Sequence, residues 1–362
     1  MLPSLDMLLT VKEEITPFHP LHELSSQRIV ISRTPIRISF FGGGTDYLNY
    51  YERHGGAVLG TTINKYTYVS VNTFDAFFDH KIRVAYSRTE LVKTIDEIQH
   101  PSARECLRYM GISSNLDIHI FSDLPAKTGL GSSSSFTVGF LNALYALLGR
   151  KVSKQTLASQ ACLIEQQRLQ EHVGSQDQFH TAYGGLNVIE FKPLHIQVRP
   201  VILSRMKTDY LEQHLMIFYT GLTRFANEIL EEQIKRTQEK TNDEYLSIMK
   251  EMVYEAEEIL TNESDYECML QKVGTLLHES WELKKQLSSK ITSPIIDQAY
   301  KAAKAAGAYG GKLCGAGSGG FLALFVPLHF QANVREVLKN LPEVKFRFEN
   351  EGSTIVYMKD SS

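Results

Sequence analysis

The stretch Leu124-Pro125-Ala126-Lys127-Thr128-Gly129-Leu130-Gly131-Ser132-Ser133-Ser134-Ser135 constrains this chain more than any other. Ahead of it, Asp117 to Ser122 alternates apolar and polar side chains, the pattern of a half-buried strand. Behind it, Phe136, Val138, Phe140, Leu141, Leu144, Leu147 and Leu148 recur at helical spacing up to Gly149, which suits the position just past a helix end. The order is strand, glycine-serine loop, helix. A helix start carries amides without intrahelical partners and the positive end of the dipole, so it suits an anion. Glycines let the backbone close around phosphates, and serine hydroxyls add donors or a metal ligand. On these residues alone, a serine-capped helix after a turn fits equally well.

The length, 362 residues, points to two domains. With 43% hydrophobic and 22% charged residues, the chain can bury sizeable cores. A formal net charge of −3 gives no reason to expect nucleic acid as a partner. Cys106, Cys162, Cys268 and Cys314 lie far apart and read as reduced thiols, not as a disulfide frame or zinc site. Residues 1–27 form an N-terminal extension without a basic segment leading into an apolar core, and no apolar run approaches the ~20 residues that span a bilayer. A cytoplasmic protein without a membrane partner is expected, and its oligomeric state stays open.

From Arg28 onward the pattern is strands, at Ile29–Ile31 and Arg37–Phe41, then a tight turn at Gly42-Gly43-Gly44-Thr45-Asp46. Further strands are expected at 57–62, 66–72 and 82–86, and helices within 89–110. Ser153 caps a helix that runs to Leu169 and carries Glu165. Gly174-Ser175-Gln176-Asp177-Gln178 follows, then strands at 186–191 and 196–201. After a strand at 215–219 the second half turns to charged amphipathic helices, and a third glycine run, Gly310 to Gly320, precedes a strand at 321–326. Strands and helices without strict alternation predict an α+β fold. The expected division is 28–205 and 206–362.

Several motifs fail on context. Gly315 to Gly320 spells G-x-G-x-x-G, but a strand follows where a dinucleotide fingerprint needs a helix. No G-x-x-x-x-G-K-[ST] occurs, the H-R-D and D-F-G pieces of protein kinases are absent, and His278-Glu279-Ser280-Trp281-Glu282 stops short of H-E-x-x-H.

Three glycine-bearing motifs, Arg33-Thr34-Pro35-Ile36-Arg37 through Asp46, Pro125 through Ser134, and Gly310 through Gly320, resemble in kind and order those of the GHMP small-molecule kinases. The resemblance spans nearly the whole chain. It implies a two-domain α+β fold, with an N-terminal ribosomal-S5-like domain binding ATP and a C-terminal ferredoxin-like domain with extra helices. Within the family, Phe40 to Tyr47, Gly174 to Gln178 and Tyr183 to Asn187 are most similar to the heptose 7-phosphate 1-kinases. Galactokinases place Glu and His where Gly43 and Gly44 stand, while fucokinases share part of the signature.

The reaction so implied moves the γ-phosphoryl group of ATP to a sugar hydroxyl, which requires in-line positioning and charge neutralisation. The resemblance assigns Pro125, Lys127, Gly129, Leu130, Gly131, Ser132, Ser133 and Ser134 to the triphosphate. It assigns Ser133 and Glu165 to Mg²⁺, a hard cation that takes oxygen ligands. Asp177 is the implied base and Arg37 its cationic neighbour. Gly43, Gly44, Thr45, Asp46, Gly317 and Gly319 are the implied substrate contacts. A non-catalytic sugar and ATP sensor on the same fold is the reading from another class. A phosphate on the acceptor would need a Lys or Arg, with Arg83, Arg88 and Lys127 as candidates.

Overall fold

Two stretches expected as separate strands form one 14-residue strand, β1 (Arg28–Phe41). Pro35 is tolerated because the register shifts between Pro35 and Ile36, and a bulge does not need the amide that proline lacks. The computed structural model describes residues 28–75, 77–113, 115–125, 128–193, 195–221, 226–315, 317 and 319–360, with 226–231 and 360 by backbone alone. The expected extension 1–27 and loop residues Ala126 and Lys127 lie outside them.

Helix α1 (Leu48–His54) follows the glycine turn, and β2 (Gly56–Thr73) runs antiparallel to β1 along its length. The expected break in β2 at Ile63–Lys65 does not occur: Ile63 is buried, and the Asn64 amide donates to Arg347 O at 2.9 Å, so pairing continues there. Strands β3 (Ile82–Ala85) and β4 (Thr89–Val92), helix α2 (Pro101–Met110) and β5 (Leu116–Ser122) complete the approach to the serine loop. Then come α3 (Ser132–Leu147), α4 (Lys154–Leu163), α5 (Gln176–Tyr183), β6 (Leu186–Lys192) and β7 (His195–Pro200).

The large sheet has nine strands, with the path β12-β1-β2-β5-β3-β4, and β6 pairs with both β2 and β7. β12 (Thr354–Asp360) is the last strand of the chain, and β11 (Phe348–Glu349) also pairs with β2. The sequence division assigns residues 206–362 to the second unit, yet these last strands lie in the first sheet. β12 caps the outer edge of β1, whose backbone groups would otherwise be open. Helices α2 to α5 cover one face of this sheet around Val69, Ile82, Leu107, Phe140, Leu144 and Phe179.

The second unit contains α6 (Arg205–His214), β8 (Leu215–Tyr219), α7 (Ala226–Gln238), α8 (Asp243–Asn262), α9 (Tyr266–Lys284), α10 (Pro294–Ala305), β9 (Gly310–Leu313), β10 (Phe321–Phe325) and α11 (Gln331–Val337). Its antiparallel sheet has the order β8-β10-β9. Ile36, Ile38 and Phe40 of β1 pack with Leu59, Val253, Val273, Leu277 and Phe321 in one core that joins the two units. Each such fully buried side chain contributes roughly 1.5–3 kcal/mol of transfer free energy. Because strand side chains alternate, burying these three sends Arg37 and Ser39 to the opposite face. Among the described residues no helix is long and apolar enough to cross a membrane.

Candidate active site

The serine loop ends as expected, with Gly131 at the start of α3 in the left-handed region, φ 76°. The Ser135 amide reaches back to Gly131 O at 2.8 Å, and among the described residues the amides of Ser132, Ser133 and Ser134, in the first turn, have no backbone partner. Thr128 Oγ1 donates to Pro125 O at 2.9 Å and holds the loop's entry. Gly129 and Gly315 meet backbone to backbone. A Cβ on Gly129 would lie 2.4 Å from Cys314 O, and one on Gly315 would lie 2.3 Å from Gly129 Cα. The third glycine run therefore packs against the second, which requires residues without side chains on both sides.

Arg37 projects from β1 into this seam. Its Nε and one terminal nitrogen donate to the two Asp177 oxygens at 2.7 and 2.6 Å, and the other terminal nitrogen donates to Gly129 O at 2.7 Å. Leu130 O accepts from the Arg37 amide at 3.0 Å. The fork ties strand, loop and helix α5 together, as planar guanidinium geometry allows. Asp177, on the first turn of α5, remains partly accessible. Two residues expected to act together are thus in bidentate contact. His180, one turn on, is fully buried, and burial and Arg37 push its imidazole down to about 3, so it is neutral behind the guanidinium.

The glycine turn closes on itself. Thr45 Oγ1 donates to Gly42 O and Ala57 O, both at 2.8 Å. Asp46 is buried; its oxygens accept from the Gly44 amide at 2.9 Å and the Gln176 amide at 3.3 Å. A Cβ at Gly174 would fall 1.9 Å from Asp46 Oδ2, so only glycine lets the 174–178 loop dock on this carboxylate. Burial, and Asp177 nearby, raise the Asp46 carboxyl above its usual range. Thr45 and Asp46 thus organise the turn and its docking to α5, and a carboxylate retains lone pairs for a further donor. Gly43 and Gly44 lie on this turn, and a Cβ on Gly43 would stand 3.7 Å from both Gln176 Nε2 and Ser39 Oγ. Gly317 packs against the Ile291 backbone, with which a Cβ would clash at 2.7 Å, and Gly319 follows in the same run.

Glu165 sits where α4 widens into one π-helical turn, Ile164–Arg168, closed by the Leu169 amide on Ile164 O. Such turns rotate a side chain out of the helix's regular spacing. Glu165 Oε2 accepts from Ser134 Oγ at 2.8 Å and Gln178 Nε2 at 2.5 Å, while buried Oε1 has no hydrogen-bond partner among the described residues. Burial pushes this carboxyl up to about 7, against hydroxyl and amide donors that lower it. An orphaned carboxylate oxygen beside a hydroxyl fits a hard divalent cation. The hydroxyl on Glu165 belongs to Ser134; Ser133, expected beside it, is one residue earlier and exposed.

Sequence reasoning missed five polar residues here. Ser39 Oγ, Gln176 Oε1 and Gln178 Oε1 are buried without partners among the described residues. Lys284 and Lys312 are 6% and 3% exposed, from α9 and β9. Lysines on an amphipathic helix and beside a glycine run read as solvated, and no local signal marks their burial. Of the expected phosphate receivers, Arg83 pairs with Asp117, Arg88 bonds Tyr86, and Lys127 lies outside the described residues.

Family models for the GHMP kinases' N-terminal and C-terminal domains match residues 91–185 and 267–343, in that order. A D-glycero-alpha-D-manno-heptose 7-phosphate kinase of Campylobacter jejuni is 28% identical over 322 residues, which are 86% of this chain and 94% of that protein. An L-fucokinase/L-fucose-1-P guanylyltransferase of Bacteroides fragilis is 26% identical over 91% of this chain, and this chain spans 38% of that protein. A solved D-glycero-D-manno-heptose 1-phosphate kinase from Bacteroides thetaiotaomicron superposes with a TM-score of 0.72 at 24% identity, over 91% of this chain and 99% of that one. The chain belongs to the GHMP kinases and has their two-domain fold. It is a phosphotransferase of a family that uses ATP as phosphate donor.

Proposed function

We propose that this chain transfers the ATP γ-phosphoryl group to the anomeric hydroxyl of a sugar. The acceptor we infer is D-glycero-D-manno-heptose 7-phosphate, giving the 1,7-bisphosphate for nucleotide-activated heptose and surface polysaccharide. The observation that carries the reading is the Arg37–Asp177 fork, clamped to Gly129 O at the mouth of the serine loop. In it a carboxylate stands as general base for the acceptor hydroxyl, and a guanidinium balances charge that develops during transfer. The open amides of Ser132 to Ser134, with Gly129 to Gly131 and the rest of the loop from Pro125 to Lys127, receive the triphosphate. Glu165 with Ser133 or Ser134 holds Mg²⁺, which neutralises phosphate charge when bound.

Acceptor hydroxyls are assigned to the turn Gly43–Asp46 and the neighbouring Gln176. Ser39 Oγ and Gln176 Oε1 are buried there without a partner among the described residues, and Gly317 and Gly319 are assigned to the acceptor from the third glycine run. The similarity to the Campylobacter heptose 7-phosphate kinase over most of both chains supports the choice of sugar. Gly43 leaves space, since a Cβ there would stand 3.7 Å from its nearest neighbours, whereas Leu246 comes within 2.9 Å of a Cβ at Gly44, so room for a bulkier acceptor than galactose is assigned to Gly43.

The test is ADP release by the purified protein with Mg-ATP and a panel of heptose 7-phosphate, heptose, L-fucose, galactose and mevalonate, with the product's phosphate position read by NMR. Heptose 7-phosphate should give the highest kcat/KM by at least about tenfold, the weight of one well-made charged contact. Equal turnover of unphosphorylated heptose removes the heptose-phosphate choice. Binding of ATP and sugar without ADP formation replaces the enzyme with a sensor.

A further inference from the structure

The seam holds more positive charge than the fork requires. Lys284 and Lys312 enter it from the second unit, both almost wholly buried. The Lys284 ammonium donates to Gly315 O, and Gly315 is the residue packed on Gly129 of the serine loop. The Lys312 ammonium donates to Phe40 O at 2.8 Å, at the end of β1 just before the glycine turn. An ammonium has three donors, and among the described residues each of these makes one hydrogen bond. Together they bracket the ground between the loop that takes the donor and the turn that takes the acceptor.

The charges that face them come from every element around the seam. Arg37 stands on β1, Asp46 on the turn, Asp177 on α5 and the Cys314 thiol beside Lys312, while the two lysines face one another. Three cationic side chains thus meet two carboxylates, one already held by the Arg37 fork. An excess positive charge in a buried setting is costly unless an anion or proton loss balances it. The direction of the shifts agrees: burial foremost brings Lys284 down to about 8, and burial with the neighbouring Lys284 brings Lys312 down to about 7. The Cys314 thiol is pushed up by burial and does not supply the missing negative charge.

We propose that Lys284 and Lys312 form, with Arg37, a buried cationic site for a phosphoryl group, and that this anion binds together with a proton. With the site empty, near neutral pH, the lysines share less than two full charges. Arrival of a dianionic phosphoryl group favours the charged ammonium, so a proton is taken up from solvent. The inference rests on the phosphotransfer reading only for the identity of the anion. Two sources carry the same chemistry, the γ-phosphoryl group of ATP and a phosphate on the acceptor.

The experiment is calorimetric binding at about pH 7.5 in buffers of different ionisation enthalpy, which counts protons exchanged on binding. The probes are the non-hydrolysable MgAMP-PNP, heptose 7-phosphate, unphosphorylated heptose and inorganic phosphate. They are applied to the full chain and to Lys312→Met and Lys284→Met, each checked for its melting transition. The wild type should take up protons with at least one of the first two probes. Both variants should reduce that uptake and weaken the same ligand by about tenfold or more. Uptake with MgAMP-PNP alone assigns the site to the donor, uptake with heptose 7-phosphate alone assigns it to the acceptor, and unphosphorylated heptose should give none.

Phosphorylated ligands that bind with no uptake, or with uptake equal in folded Lys312→Met and Lys284→Met, overturn the proposal. Absence of binding by all phosphorylated probes overturns it as well. Proton-coupled binding without ADP release to any sugar keeps the cationic site and removes the sugar-kinase reading instead.

Discussion

Two arginine–aspartate forks whose arginines stand on the large sheet use the same chemistry in different surroundings. Arg83 donates through Nε to Asp117 at 2.6 Å and through a terminal nitrogen to the same carboxylate, much as Arg37 does with Asp177. The Arg83 side chain is 39% exposed, against 5% for Arg37. Its remaining contact is His119, on the neighbouring strand β5, whereas Arg37 reaches Gly129 O in a loop lined with open amides. A fork in solvent is worth little, because screening and side-chain entropy offset the attraction. Within the seam the arginine end of the fork is desolvated, backed by neutral His180 and flanked by two buried lysines, while Asp177 stays open at 24% exposure against 15% for Asp117. The pair itself does not distinguish a site; the water-poor ground around it does.

The sharpest way to break this comparison is Asp177→Asn. Turnover should fall by about 10²–10⁴ with the fold intact by circular dichroism, as for loss of a positioned base. Near-normal kcat would reduce the Arg37–Asp177 fork to the status of Arg83–Asp117. Arg37→Lys keeps the charge and loses the planar fork, so kcat/KM should drop by about a hundredfold. A lower melting temperature should accompany it, since a damaged buried pair costs roughly 3–5 kcal/mol.

Smaller effects sharpen the picture of the serine loop. Ser134→Ala should raise the Mg²⁺ concentration for half-maximal rate by about tenfold or more, the scale of a lost ligand or ligand-orienting contact. Ser133→Ala should do so less if the geometry at Glu165 governs, and the reverse ranking would restore the assignment made from motif position. At the bottom of the scale, Arg83→Ala should leave kcat unchanged and shift stability by no more than about 1 kcal/mol in chemical denaturation. A specific rise in KM for a phosphorylated acceptor in that variant would make the outer fork, not the seam, the phosphate receiver.

Much of this was legible in residue order. The strand–loop–helix unit around Gly129 to Ser135 and the end of α3 near Gly149 follow from apolar periodicity and glycine chemistry, which are local. The strands of the first unit were legible in place but not in number or length: two expected pairs fuse into β1 and β2, and β4 lies in the 89–110 stretch expected as helices. Pro35 and Asn64 read as breaks, and only pairing across a bulge carries β1 and β2 past them. The return of β12 to the edge of β1 left no local mark either, since a strand's spelling does not name its partner. Asp46 was read as a substrate contact or a turn cap, and one of its two backbone amide donors, Gln176, stands 130 residues further along the chain.

By itself, the sequence determined the α+β class, the three glycine motifs in family order, and the identities of Arg37, Glu165 and Asp177. These depend on side-chain type, spacing and the φ > 0 freedom of glycine, all properties of short stretches. The tertiary structure alone decided which serine meets Glu165. Four consecutive serines on a helix start point about 100° apart, and a π turn sets where the carboxylate stands. It also decided that Lys284 and Lys312 are buried beside Arg37. Burial and the charges across a seam come from elements far apart in the chain, and no window of residues contains them.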